Sequence, residues 1–288
     1  MTPSERAMLR SFLAEDLGRG GDITSQCLVP SHQMVTVQLI ANQRGVVAGL
    51  PYVRALCRLC SRRVRLTSHV REGTIVHRGQ RIAQLHGPAR PILAAERTAL
   101  NLLGHLSGVA TLTRQFVTRV RGTRTMIYDT RKTLPGLRHF DKYAVRIGGG
   151  QNHRLDLSQH VLIKTNHLKA LGGSRVQTIR ESLYRARRVH RGPLIIEATA
   201  VEDVLFALLW RADVILLDNM PLRDLRRAIQ LRNRLRPSVQ LEASGGVTLR
   251  NIRAIARTGV ERISVGALTK SAPTLDFALR VLPARGAV

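Results

Sequence analysis

Between Asp129 and His167 the chain reads DTRKTLPGLRHFDKYAVRIGGGQNHRLDLSQHVLIKTNH, and five of its side chains share one chemistry. Arg131 and Lys132 stand just past an apolar run, His153 and Arg154 follow the triplet Gly148 to Gly150, and Lys164 closes another apolar run. Cationic or potentially cationic groups at segment ends converge where the chain turns, which suits an acidic small molecule. Arginine forks pair with carboxylate or phosphate in two-pronged fashion and lysine adds a point charge. Arg97, earlier in the chain, is a candidate sixth member. Against these cations stand two acids, Glu197 and Asp218, also at the ends of apolar runs. Two carboxylates facing a cationic pocket suit Mg2+ with sugar hydroxyls, because Mg2+ takes oxygen ligands and prefers substrate phosphates. Ser244-Gly245-Gly246 and Gly266-Ala267 offer backbone N–H groups to a phosphate, with glycine permitting close approach. An acid, a phosphorylated sugar and a metal in one site point to transfer of a sugar phosphate group.

The elements that must position these residues follow from periodicity. From Thr123 onward, apolar runs at 124–128, 160–163, 193–196, 213–217, 239–241 and 262–265 alternate with helical patterns at 137–147, 173–190, 200–211, 221–235 and 248–258. Strict alternation implies parallel strands joined by right-handed crossovers. The charged and glycine residues fall after consecutive strands, at the end where barrel enzymes place their chemistry. Each has a bland explanation when taken alone. The glycine triplet suits a helix C-cap, His153 a satisfied histidine, and Glu197 or Asp218 a cap on the next helix. Chance does not readily place all of them at strand ends. Six strands rather than eight predict an incomplete, open barrel spanning residues 111–270.

Residues 1–110 read differently, as an α+β sandwich domain. A helix is expected from Pro3 to Leu17, then a polar, glycine-rich break, then a strand over Met34–Ala41 with period-2 alternation. A strand over 44–49 and short strands between Val70 and Leu93 follow. A long helix from about Ala94 to Arg121, broken near Gly104 or Gly108, leads into the barrel. The end of the chain, 271–288, is expected to be an amphipathic helix folding back on the N-terminal domain, through Leu275, Phe277, Ala278 and Val281.

Composition bounds the partners. The 288 residues are 44% hydrophobic, as in globular proteins. No apolar run approaches the roughly 18 residues of a membrane helix, and MTPSERAMLRSF lacks a signal-peptide layout, so a cytoplasmic location is expected. The formal charge of +27 favours anionic partners, yet arginines are scattered and aromatics are only 3%, too few to stack bases. Nucleic acid is therefore expected to bind only non-specifically. Cys57 and Cys60 form a C-x-x-C without a second pair, on the apolar face of a helical pattern, and read as buried thiols rather than a zinc site.

The motifs also carry a resemblance. Glu15-Asp16-Leu17, Gly21-Asp22-Ile23-Thr24, ERTALN (96–101), DTRKT-PG, KYAVR-GGG, NHR, Leu162-Ile163-Lys164, LLDN (216–219), EASGG (242–246) and VGALT (265–269) together resemble the quinolinate phosphoribosyltransferase family over nearly the whole chain. The resemblance implies an open α/β barrel with an N-terminal sandwich domain. It also implies a homodimer whose N-terminal domain closes the partner's barrel, with further assembly left open. Quinolinate and phosphoribosyl pyrophosphate would give nicotinate mononucleotide, pyrophosphate and CO2 in NAD biosynthesis. It implies that Arg97 from the other subunit, Arg131, His153, Arg154 and Lys164 hold quinolinate. Lys132 would lie near phosphoribosyl pyrophosphate, while Glu197 and Asp218 serve the ribose and Mg2+.

The chain departs from the family pattern at Thr165, where Asp is usual, at Ile195-Ile196-Glu197, where only the second of two glutamates remains, and at Gln159 and His160. These changes leave the cationic pocket whole and touch the metal side. Two other readings compete: a paralogue acting on another acid, as in homologues associated with molybdate transport, and a nucleic-acid-binding protein on an inactive barrel.

Overall fold

The computed structural model describes residues 1–170, 175–190 and 192–283, with the side chains of 175–179 excluded. Its first elements in chain order are α1 (Pro3–Leu17), α2 (Ile23–Leu28), β1 (Met34–Ala41), β2 (Gly45–Val46), α3 (Leu50–Cys60), β3 (Arg65–Ser68), β4 (Ile75–Val76), β5 (Arg81–Pro88) and α4 (Ala89–Arg119). Helix α1 opens with a capping box in which the Thr2 hydroxyl accepts from the Glu5 amide and Glu5 answers to the Thr2 amide, with Pro3 at the first helical position. The break after it contains a helix the sequence pattern does not show. Asp22 caps the short α2 by accepting from the Ser25 amide.

The remaining elements are β6 (Met126–Tyr128), α5 (Arg138–Gly148), β7 (Val161–Ile163), α6 (Thr165–Ala170), α7 (Arg175–Val189), β8 (Leu194–Ala198), α8 (Val201–Leu209), β9 (Val214–Asp218), α9 (Leu222–Leu235), β10 (Gln240–Ser244), α10 (Ile252–Ala256), β11 (Arg262–Ser264), α11 (Ala267–Lys270) and β12 (Phe277–Val281). Residues 173 and 174 of the helical pattern at 173–190 lie outside the described residues. The chain divides into two compact units. One comprises 1–114, 134–149 and 271–288, the other 115–133 and 150–270.

In the first unit an antiparallel sheet runs β12-β1-β5-β3, and β2 pairs with β4. The expected C-terminal helix is corrected here: the segment carries a strand, paired antiparallel with β1 from Val37↔Val281 to Ala41↔Phe277. Phe277, Leu279 and Val281 satisfy period two as well as Leu275, Phe277, Ala278 and Val281 suggest a helix. The unpaired backbone edge of β1, remote in sequence, decides between them. Residues 284–288 lie outside the described residues.

The expected break in the long helix is also corrected, because α4 runs unbroken for 31 residues. Its glycines serve close approach. A Cβ on Gly104 would lie 2.5 Å from the Leu275 carbonyl oxygen, and one on Gly108 would lie 2.1 Å from that of Pro273. The Leu275 amide donates to the Gly104 carbonyl at 3.1 Å, so the chain leading into β12 lies directly on the helix backbone.

In the second unit six parallel strands are ordered β6-β11-β10-β9-β8-β7. Among the described residues β6 and β7 do not pair with each other, so the α/β barrel is open, as its six-strand count predicts. The free side of β6 is occupied at one point: the Asp129 amide donates to the Gln151 carbonyl, and the Gln151 amide donates to the Ile127 carbonyl. One sheet face is apolar and almost wholly inaccessible, with Ile127, Ile196, Ile215, Leu217, Leu241 and Ile263 buried. Helices cover such faces in parallel sheets, and each of these side chains contributes roughly 1.5–3 kcal/mol of burial. The other face carries the acids Glu197, Asp218 and Glu242.

Candidate active site

Strand register places the acids. Glu197 on β8 is opposite Leu216 on β9, and Ser244 on β10 is opposite Asp218. Residues two apart share a face, so Leu216 puts Glu197 and Asp218 on one face as diagonal neighbours. Such diagonals lie about 7–8 Å apart. The same face carries the apolar cluster Leu162, Ile195, Val214 and Leu216 deeper along the strands. Beyond that cluster, toward the C-terminal strand ends, the alternation delivers Glu197, Asp218 and Ser244, and it brings Lys164 next after Leu162. The strands extend further than the apolar runs suggest, so Glu197, Asp218 and Ser244 belong to strands rather than to the loops after them.

Each acid is already engaged by its surroundings. Glu197 Oε1 accepts the Thr165 amide at 3.0 Å, which ties β8 to the first residue of α6. Asp218 Oδ2 accepts from Asn219 Nδ2 at 3.0 Å. Asn219 itself adopts a left-handed conformation (φ 55°), a position where asparagine is tolerated. A Cβ on Gly245 would collide with its side-chain oxygen at 2.1 Å, and Gly245 has φ 88°, so this turn requires glycine.

The cations stand on connecting segments. Arg154 is buried, its Nη1 donates to the His160 carbonyl at 2.7 Å, and burial together with the neighbouring Arg131 charge lowers its affinity for a proton. Two guanidinium groups that feel each other's charge repel unless an anion lies between them. Arg131 has a buried Nε without a hydrogen-bond partner, a donor placed to receive an acceptor. His153 Nδ1 accepts the Arg154 amide at 3.0 Å. Lys132 is exposed, and its Cδ lies 3.1 Å from where a Cβ on Gly266 would be, while its carbonyl accepts from the Thr269 hydroxyl. Lys132, Gly266 and Thr269 are thereby brought together. Lys164 is exposed, and Arg97 is an exposed residue of α4 in the first unit.

Two acids that hold this region are absent from the residues picked out by type and spacing. Asp129, fully buried, accepts the His153 amide at 2.7 Å and Asn152 Nδ2 at 2.6 Å. Glu242, fully buried on β10, lies 3.2 Å from His153 Nε2 and 3.0 Å from Arg262 Nε. Burial alone would drive the Glu242 carboxyl toward its neutral form, but His153 and Arg262 outweigh it and hold the group below the usual glutamate range. The usable signal was alternation: Glu242 is two residues before Ser244 and so shares its face.

The C-x-x-C pair behaves as thiols in an apolar setting. Burial pushes Cys57 up to about 12 and raises Cys60 as well, which leaves little thiolate at neutral pH.

With this geometry in place, comparison with known proteins gives a consistent answer. Residues 22–107 match the N-terminal domain and 109–280 the C-terminal domain of quinolinate phosphoribosyl transferase. The chain is 42% identical to the nicotinate-nucleotide pyrophosphorylase [carboxylating] of Mycobacterium leprae, across 95% of this chain and 96% of that protein. It is 38% identical to the probable enzyme of that name from Bacillus subtilis, across 96% and 93%. The solved nicotinate-nucleotide pyrophosphorylase of Francisella tularensis superimposes with a TM-score of 0.90 at 35% identity, covering 98% of both chains. Human nicotinic acid phosphoribosyltransferase, at 13% identity and a TM-score of 0.60, shares the fold. Matched in both domains and along nearly its full length, the chain belongs to the quinolinate phosphoribosyltransferase family.

Proposed function

We propose that this chain transfers the phosphoribosyl group of phosphoribosyl pyrophosphate to quinolinate, giving nicotinate mononucleotide, pyrophosphate and CO2 for NAD biosynthesis. The observation that carries this reading is the pair of neighbouring guanidinium groups, Arg131 and Arg154, on the same unit as two carboxylates aligned by strand register. Quinolinate brings two adjacent carboxylates, and Arg131 and Arg154 supply the paired donors to bind them, with Lys164 adding charge. Held in this way, the ring nitrogen is oriented toward the anomeric carbon of the sugar. Lys132 and the backbone around Gly245, Gly246 and Gly266 serve the phosphates, as cation and as N–H donors. Glu197 and Asp218 stabilise positive charge developing on the ribose. Once the ring nitrogen is alkylated, its positive charge stabilises the electron pair left on the ring carbon when the adjacent carboxylate leaves as CO2, and that carbon takes up a proton from water to give nicotinate mononucleotide. No protein nucleophile is required.

The donor set near the acids fits Mg2+. One oxygen of Glu197 is taken by the Thr165 amide and one of Asp218 by Asn219, and among the described residues the second oxygen of each accepts no such bond, which suits an oxygen-seeking ion that keeps most of its ligands from water and substrate. Glu197 and Asp218 would hold it, and when bound it would neutralise charge on the leaving pyrophosphate. Arg97 is assigned to the quinolinate pocket of a neighbouring subunit in a homodimer, and the protein to the cytoplasm. Among the described residues no helix is long and apolar enough to cross a membrane.

The test is product formation from quinolinate, phosphoribosyl pyrophosphate and Mg2+, following nicotinate mononucleotide and CO2 together. Both products from the wild type, lost in an Arg131→Ala, Lys164→Ala double variant, are expected. Folded protein that makes neither product would reject the reading.

A further inference from the structure

Beneath the cationic pocket runs a line of buried contacts that the reaction chemistry does not use. Tyr128 on β6 lies under the guanidinium of Arg262, 4.0 Å from its Cζ to the ring centroid. Arg262 Nε approaches Glu242 Oε2 at 3.0 Å, and Glu242 Oε1 approaches His153 Nε2 at 3.2 Å. Across the ring, His153 Nδ1 accepts the amide of Arg154 at 3.0 Å, and Arg154 is the guanidinium beside Arg131. Glu242 and Arg262 are direct register partners on β10 and β11, so the strands themselves fix the far end of this line.

The proton inventory of the imidazole gives the line a direction. In a neutral ring one nitrogen donates and the other accepts. Nδ1 accepts from the Arg154 amide, so the proton is on Nε2, the nitrogen facing the Glu242 carboxylate. A ring held the other way, with its proton on Nδ1, would set N–H against N–H at Arg154. Neither approach to Glu242 is an aligned hydrogen bond. Arg262 meets Glu242 as an ion pair and the neutral imidazole meets it through the positive end of its Nε2–H dipole, and a carboxylate with no solvent exposure acts strongly on both.

We infer that Glu242 is a positioning residue for the quinolinate pocket: it holds the His153 proton on Nε2, freeing Nδ1 to anchor the Arg154 amide and so orient the Arg154 guanidinium. Arg262, resting on Tyr128, keeps the Glu242 carboxylate charged. His153 thereby acts as a brace between a buried acid and a substrate-facing arginine, with Asp129 pinning the same loop through the His153 amide. The inference about substrate rests on the quinolinate reading; the inference about the ring does not.

The experiment therefore has two readouts. Nitrogen-15 NMR of the histidine ring, assigned by comparison with His153→Gln, reports the tautomer without any substrate. The wild type is expected to show protonated Nε2 and unprotonated Nδ1 at neutral pH. Protonated Nδ1, in either a neutral or a cationic ring, would overturn the proposal. Steady-state kinetics supply the second readout. Glu242→Ala is expected to raise the KM for quinolinate about tenfold or more, in the range of outer partners that orient ligands. Its kcat and its KM for phosphoribosyl pyrophosphate should move far less, which marks lost binding geometry. Glu242→Gln, which keeps the shape and still presents an oxygen toward Nε2, should recover part of the loss and guards against misfolding of the alanine variant. Equal quinolinate KM in the wild type and the glutamine and alanine variants, or an equal rise in both substrates' KM, would overturn it. A wild type that makes no product would sink the quinolinate reading, while the ring spectrum would still decide the brace.

Discussion

The two charged arcs of the barrel unit are built by opposite means. Glu197 and Asp218 lie within β8 and β9, where strand register sets their separation before any side chain is considered. Arg131, Lys132, His153 and Arg154 lie outside the strands, on segments whose shape is set by buried acids and backbone carbonyls: Asp129 on the His153 amide, Glu242 on its ring, His160 on the Arg154 guanidinium. The difference follows from chemistry. Acids proposed to serve a ribose and a metal would gain from a rigid, sheet-defined spacing. Guanidinium groups brought together repel each other, so loops must be pinned from beneath to hold them before an anion arrives.

This contrast predicts that damage to one arc shows in one substrate. The largest effect is expected from Arg131→Ala with Arg154→Ala. Each charged hydrogen bond contributes about 1.5–3 kcal/mol, so kcat/KM for quinolinate should fall about 10^2- to 10^4-fold. An equal fall from loss of phosphoribosyl pyrophosphate binding would break the comparison. Glu197→Gln comes next. The amide side chain still accepts from Thr165 but loses its charge, and a rise of about tenfold in the Mg2+ needed for half-maximal rate is expected, with quinolinate affinity little changed. Titrating Mg2+ at saturating substrates would measure it.

A perturbation outside both arcs sharpens the comparison. Gly108→Ala drives a Cβ to within 2.1 Å of the Pro273 carbonyl oxygen, so about 1–3 kcal/mol of stability should be lost, seen as a lower Tm. Its kcat/KM for either substrate at a temperature where it is folded should stay near the wild type. The smallest effect belongs to Thr165→Asp. An added carboxylate beside Glu197 should tighten the Mg2+ requirement about two- to threefold and leave quinolinate KM unchanged, given the modest strength of a partly exposed charge.

Much of this was legible from the chain itself. Six apolar runs alternating with helical patterns specify parallel strands, and their ends identify the acids, because strand geometry is local and periodic. Less legible was whatever depends on partners remote in sequence. Phe277–Val281 satisfies both periods, and only the open edge of β1 makes it a strand. Gly104 and Gly108 look like helix breakers until the 273–275 segment is seen lying on them. Asp129 and Glu242 are plainly visible in DTRKT and EASGG, yet their role as pins arises from contacts to residue 153, which no spacing rule connects to either.

The most direct test of the division between the arcs is calorimetric titration of quinolinate alone into wild type, Arg154→Ala and Glu197→Gln. Binding in the wild type and in Glu197→Gln at similar Kd, with at least a tenfold weaker Kd in Arg154→Ala, is the predicted result. Equal weakening in both variants would show that one undivided site holds the acid, and would contradict the account.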